Sequence, residues 1–258
     1  MPFRTLLLLL LLPALGLTAP PLAHAWNRAS PGIAGIMTDV RLTETSGIAP
    51  SRRQPGRFWV HNDSGNDAEL HLMSAEGSRL ASVVVEGVSN IDWEDLAGFE
   101  LDGKPYLLIA DTGDNGGIRQ TLQLIVVEEP AVITDGMRLR AAWVLRFRWP
   151  DGARDCEAVA VDAAIGQILL ISKKRVPPEL FALELRATDG EVQTARALGL
   201  LHGIAQPTAE ERARNPRFGR YRSQVTAADL SPDGRTLAVL NYQSLYLYTR
   251  EAGEPWPA

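Results

Sequence analysis

Short apolar runs alternate with breaks rich in Gly, Pro and Asp along almost the whole chain, and the runs recur as a set. The fullest copy begins in carboxylates with Asp92-Trp93-Glu94-Asp95-Leu96-Ala97 and passes a Gly-containing turn. It then runs through Tyr106-Leu107-Leu108-Ile109-Ala110 into Asp111-Thr112-Gly113-Asp114-Asn115. Related first runs lie at 45–49, 156–160 and 225–229, and related second runs at 58–62, 168–172 and 236–240. Third runs follow at 69–73, 122–127, 180–183 and 245–248, and fourth runs at 81–85, 142–148 and 191–200. Aromatic and β-branched residues in short runs, bounded by turn residues, are strand signals. Helical periodicity is confined to 207–214, which carries Thr208, Glu210, Glu211 and Arg212. Units of four antiparallel strands, repeated every ~45–60 residues, are the sequence form of propeller blades. The pattern predicts an all-β chain, a β-propeller of four-stranded antiparallel blades with about four blades visible. Two readings of the ring stay open: a lone strand over 32–42 closes it by joining the final blade, or the chain lacks a terminal blade.

Composition narrows the class of protein. The chain has 258 residues, 45% of them hydrophobic, enough to bury one sizeable all-β core. Its net charge of −5, with scattered charges, gives no electrostatic footprint for nucleic acid. Residues 1–25 read as a signal peptide, with Arg4 as the positive end, an apolar run from Leu6 to Leu12 and a small-residue site at Ala23-His24-Ala25. Cleavage is expected after Ala25, leaving a single propeller domain over 26–258, periplasmic or secreted, with no membrane span. Cys156 is the only cysteine, so no intramolecular disulfide forms. It reads as a small buried hydrophobe in a strand.

Five segments carry a family resemblance. Trp93-Glu94-Asp95-Leu96-Ala97 with Asp111-Thr112-Gly113-Asp114-Asn115, His61-Asn62-Asp63-Ser64-Gly65 before them and Glu157-Ala158-Val159-Ala160-Val161-Asp162 after resemble secreted bacterial propellers of the TolB-like and gluconolactonase-like set. Leu230-Ser231-Pro232-Asp233-Gly234-Arg235 resembles the strand-turn signature of TolB-type and lactonase-type blades. The resemblance covers residues 43–250. It implies a propeller, and it implies a central divalent-cation site of acidic and amide ligands, as in gluconolactonase-like members. It is weak for chemistry, because propellers host many unrelated functions.

Aligning the repeats puts Ser46, Glu94, Glu157 and Thr226 at one position on the channel-lining first strand. Glu94 and Glu157, with Asp95 and Asp155 close by, are the candidate ligands for a hard cation such as Ca²⁺, which takes oxygen donors. The competing reading is that they bridge adjacent inner strands or line a wet channel. A second aligned set pairs Asp63 with Asp111, opposite Lys173 and Asn241. With His61, Asn62, Asp95 and Asp114 these form a candidate polar channel or rim; the competing reading is turn chemistry, which favours Asp and Asn. Asp111 lacks the acidic residue eleven positions on that an EF-hand requires, Leu122 standing there. Lys173-Lys174-Arg175 would address an anionic substrate across the same mouth, and Arg212, Arg214, Arg217, Arg220 and Arg222 read as a solvated inter-blade loop. Trp59, Trp93 and Trp143 read as blade packing. No Gly-x-Ser-x-Gly elbow and no paired-His zinc motif occurs. Two functions remain: a binding or scaffold module of the cell envelope, taking a protein, peptide or small-molecule ligand on one face, or a divalent-cation-dependent hydrolase of the gluconolactonase or phosphoesterase-like type. Carboxylates converging on one cavity would favour the second; carboxylates spread round the rim would favour the first.

Overall fold

The computed structural model describes residues 32–186, 190–251 and 254–256; the leader expected over 1–25 lies outside them. Four sheets follow one another in chain order. The first is built from β1 (Thr45–Pro50), β2 (Arg57–Asn62), β3 (Glu69–Ser74) and β4 (Arg79–Glu86). The second takes β5 (Trp93–Leu101), β6 (Lys104–Asp111) and β7 (Leu122–Glu128), then skips β8 (Met137–Arg140) and ends in β9 (Trp143–Arg148). The third takes β10 (Cys156–Asp162), β11 (Gln167–Ser172) and β12 (Glu179–Glu184), skips β13 (Val192–Thr194) and ends in β14 (Arg196–Leu200). After α1 (Ala209–Arg214), β15 (Val225–Leu230), β16 (Thr236–Asn241) and β17 (Leu245–Thr249) form the fourth.

The two skipped strands follow one rule. Before making the last strand of its own blade, the chain crosses to the previous blade and pairs in parallel with that blade's outer strand. Thus β8 joins β4, and β13 joins β9. An exposed outer strand offers unpaired N–H and C=O groups, and a fifth strand covers them. The crossing splits the expected run 191–200 in two at Ala195, whose side chain is buried.

Each interface between successive sheets is an apolar layer. Trp59, Leu70 and Val83 meet Trp93, Leu107 and Ile125 between the first two sheets. Leu108, Leu124 and Phe147 meet Val159, Leu170 and Phe181 between the next pair. Ala160, Leu169 and Leu180 meet Val225, Leu237 and Val239 between the last pair. The first strands pack on one another in order, β1 on β5, β5 on β10 and β10 on β15. This is the arrangement of a β-propeller, here with four blades, and it places Trp59 and Trp93 in blade packing.

Residues 32–42 form no strand and do not join the fourth blade. Their polar groups are used elsewhere: Ile36 N–H donates to the Glu76 carbonyl at 3.1 Å, and Asp39 pairs with Arg79 at 2.7 Å. The segment therefore runs along the first blade. No helix among the described residues is long and apolar enough to cross a membrane.

Candidate functional site

Every first strand opens with a β-bulge. The register jumps from Thr45↔Asn62 to Ile48↔Val60, from Trp93↔Asp111 to Asp95↔Ala110, from Cys156↔Ser172 to Ala158↔Ile171, and from Val225↔Asn241 to Ala227↔Leu240. Each jump adds one residue to the inner strand, which bends it and re-aims a side chain. Ser46, Glu94, Glu157 and Thr226 all sit within these bulges, so the four positions are structurally equivalent. The register also corrects the second alignment by one residue. Asp111 is the counterpart of Asn62, Ser172 and Asn241, whereas Asp63 is the counterpart of Thr112, Lys173 and Tyr242.

The bulges bring acidic groups together. Oxygens of Asp63, Asp92 and Glu94 lie within 4.8 Å of one another, and so do oxygens of Glu94, Asp155 and Glu157. Glu94 is common to both groups and is 4% exposed. Asp92 and Asp155 hold equivalent places, each two residues before the bulge glutamate. Each stands one residue before its strand and brings a carboxylate oxygen within 4.8 Å of one on its bulge glutamate. Asp92 was not singled out from the sequence, although the repeat of Asp92-Trp93-Glu94 in Asp155-Cys156-Glu157 is the signal that would have found it. Gly113 leaves room for the cluster, because a Cβ there would overlap the Asp92 and Glu94 carboxylates. Ser46 Oγ donates to the Glu94 carbonyl at 2.7 Å and lies 3.4 Å from Glu94 Oε2.

Two lysines face these acids. Lys173 pairs with Glu157, and Lys174 Nζ lies 2.9 Å from Asp155 Oδ2 without the alignment of a hydrogen bond. Asp155 Oδ1 accepts from Asp114 N–H at 2.8 Å, which anchors the 112–118 loop to the third blade. Burial raises the Glu94 carboxyl to about 8, with the charges of Asp63 and Asp92 adding to the effect. Asp92 is raised by burial and then by Asp63, while burial lowers Lys173. Like charges crowded in a poorly solvated place resist ionisation, and a cation among them would relieve it. Oxygens no more than 4.8 Å apart can share such an ion, since ligands on opposite sides of a Ca²⁺ bonded at about 2.4 Å are about that far apart. The donors are all oxygens, as a hard cation requires.

The other candidate residues lie elsewhere. His61 is fully buried, edge-on to Trp93 with ring centroids 5.5 Å apart, and its ring nitrogens face the Asn62 and Asp95 carbonyls at 3.0 and 3.3 Å. Burial lowers its pKa, so it is a neutral structural ring rather than a rim base. Asn62 accepts from Glu44 N–H and donates to the Arg41 carbonyl. Asp111 accepts from Asp92 N–H and from Arg119 and Gln123 side chains. Asp114 accepts from Ile118 and Arg119 N–H, and Asn241 from Gln243 and Ser244 N–H, as turn residues do. Asp95 lies inside the ring, where burial raises it to about 7; it accepts from Leu96, Val159 and Ala228 N–H groups. Cys156 is buried, and burial pushes its thiol up to about 12, which leaves it unreactive at neutral pH.

Beside the acids lies a cleft of about 800 Å³. Its floor is Lys173 and Lys174, and its walls come from Tyr242 and from the connection between β14 and β15. That connection is held down by Tyr248 Oη donating to the His202 carbonyl at 2.9 Å, Tyr246 Oη accepting from Ala205 N–H at 3.2 Å, and Ser223 Oγ donating to Gln206 at 2.9 Å. Thr208 and Glu211 cap α1 reciprocally.

No protein-family model matches the chain, and no curated protein matches it. Among solved structures, it is similar to the Cps50 (Swd1) β-propeller domain of Myceliophteria thermophila, with a TM-score of 0.43 and 12% identity. The alignment covers 80% of this chain and 51% of that one, so the chain spans about half the length of that domain.

Proposed function

We propose that the chain is an exported β-propeller that binds a divalent cation, Ca²⁺ foremost, among Asp63, Asp92 and Glu94, and uses this end of its ring as a ligand-binding face in the cell envelope. The observation that carries the reading is the convergence of carboxylates from two neighbouring blades on one buried glutamate. The leader-like residues 1–25 support export, and the motif resemblance supports a place among TolB-like and gluconolactonase-like propellers. Asp155 and Glu157 complete the acidic surroundings, their lysine partners balancing part of the charge.

A second reading, a cation-dependent hydrolase, is favoured by one observation: the carboxylates that would hold the cation lie next to a cleft lined by Lys173. The bound cation would supply Lewis acidity towards a carbonyl or phosphoryl oxygen and lower the pKa of a bound water. Lys173, next to Glu157, would orient an anionic substrate.

Thermal unfolding of the mature protein in EDTA and in Ca²⁺ tests the first reading. Ca²⁺ at a hundred times its Kd stabilises the folded state by about 2.7 kcal/mol, which is expected to raise the midpoint by several degrees. The Asp92→Asn/Glu94→Gln variant is expected to lose the rise. A wild-type midpoint that ignores Ca²⁺, Mg²⁺ and Mn²⁺ alike would remove the cation.

A further inference from the structure

The cleft beside the carboxylates is chemically unlike them. Three aromatic side chains border it: Phe218 is 54% exposed, Tyr242 is 60% exposed, and Tyr221 is partly buried. Single exposed rings are ordinary, but rings from two separate segments around one cavity make a stacking platform. Two cations reach the same cavity with donors to spare. Lys173 spends one contact on Glu157, and Arg222 has only a 3.5 Å contact to Glu211. Lys174, by contrast, is occupied by Asn115 and Asp155.

We propose that this cleft binds a small molecule in which an oxyanion, phosphate or carboxylate, is carried on a flat ring. The ring lies against Phe218, Tyr221 and Tyr242, and the oxyanion faces Lys173, Arg222 and the cation. This rests on the cation reading above: with the carboxylates unneutralised, an anion approaching Lys173 meets Glu157 and Asp155 behind it. Loading the site with a divalent ion offsets part of the carboxylate charge and weakens the repulsion that an incoming oxyanion feels. The ring-binding wall belongs to the β14–β15 connection, whose capped helix and tyrosine anchors hold it in place without the ligand, so the cleft is largely preformed.

The test is isothermal titration of the full mature protein with phenyl phosphate, benzoate, inorganic phosphate and phenol, each with Ca²⁺ and with EDTA. Ca²⁺ binding itself is followed separately by the thermal shift. With Ca²⁺, phenyl phosphate or benzoate is expected to bind saturably, and whichever binds identifies the oxyanion. Inorganic phosphate and phenol are each expected to bind at least about tenfold more weakly, since each lacks half of the recognition. Phe218→Ala and Tyr242→Ala change exposed rings and leave the blades intact; each is expected to weaken binding about tenfold, and Arg222→Gln about fivefold. The proposal is overturned if Ca²⁺ shifts the midpoint while neither ring-bearing anion binds, if inorganic phosphate binds as tightly as phenyl phosphate, or if the aromatic variants bind like wild type. If Ca²⁺ produces no shift, the cation reading fails first and this proposal falls with it.

Discussion

Glu94 holds both a proton and the centre of the acidic cluster, and this gives the metal-free protein an inverted response to pH. Its pKa is raised from 4.5 to about 8, by burial first and then by Asp63 and Asp92. Between those two values the unfolded chain has released the proton and the folded chain keeps it. Stability in EDTA therefore falls as pH rises through this window, and the loss is complete above the folded value. A shift of this size corresponds to a complete loss on the order of 5 kcal/mol at 25 °C. Asp95, also raised, adds a loss of the same sign, so the diagnostic quantity is the difference between proteins. Urea unfolding at pH 5 and pH 8 in EDTA is expected to show wild type losing more stability than Glu94→Gln, by roughly 2–4 kcal/mol. Equal losses would mean that Glu94 ionises normally. Added Ca²⁺ is expected to abolish the difference at pH 8, because an ionised Glu94 then has a partner.

At the scale of strands, Asp95 ties the ring together. Its Oδ2 accepts from Val159 N–H at 2.9 Å and from Ala228 N–H at 3.2 Å, one on β10 and one on β15, while Asp95 itself lies on β5. Both donors lie on the terminal inner strand of a sheet, whose free side has no neighbouring strand, so a backbone N–H there needs another acceptor. Asp95→Ala removes the acceptor of three buried N–H donors, those of Leu96, Val159 and Ala228, and is expected to cost about 2–4 kcal/mol. Asp95→Asn keeps one acceptor oxygen and is expected to cost less. Comparison of the two midpoints in chemical unfolding checks this; equal costs would remove the acceptor role. The strands themselves were legible from their alternation and turn residues, and so was the equivalence of Ser46, Glu94, Glu157 and Thr226. The pairing of Asp63 with Asp111 was misread because a bulge shifts inner and outer strands by one residue and leaves no mark on the hydrophobic pattern. The crossing strands β8 and β13 were missed for a related reason. They are four and three residues long and mostly solvent-facing, and parallel pairing with the preceding blade is a long-range event. His61 was read as a channel or rim residue because its neighbours are polar, yet the space left by Gly47 holds its ring inside the core.

For the whole molecule, the decisive feature is the unequal treatment of the two sides of each sheet. The second and third sheets bury both sides between neighbours, which explains why β6, β7, β10 and β11 read as continuous apolar runs. The fourth sheet is different. Leu237, Val239, Tyr246 and Tyr248 pack towards the third blade, but on its other side Leu240 is paired with Leu245, and Ala238 with Leu247. Those three leucines are 43%, 60% and 54% exposed, and Ile48 on the first blade is 53% exposed. Adjacent leucines on a pleated surface make an apolar patch, and burying one such side chain fully is worth about 1.5–3 kcal/mol. The purified chain is therefore expected to self-associate with rising concentration, and sedimentation velocity across a hundredfold range would detect it. Leu245→Asn/Leu247→Asn is expected to weaken that association at least about tenfold, a change of roughly 1.4 kcal/mol. Because these side chains contribute little to the layer against the third blade, the variant's unfolding midpoint is expected to stay close to that of wild type at low protein concentration. A wild-type chain that sediments as a monomer throughout the range would show that the patch is too small to drive contact. A variant that loses its folded baseline would instead mean that the patch is part of the core.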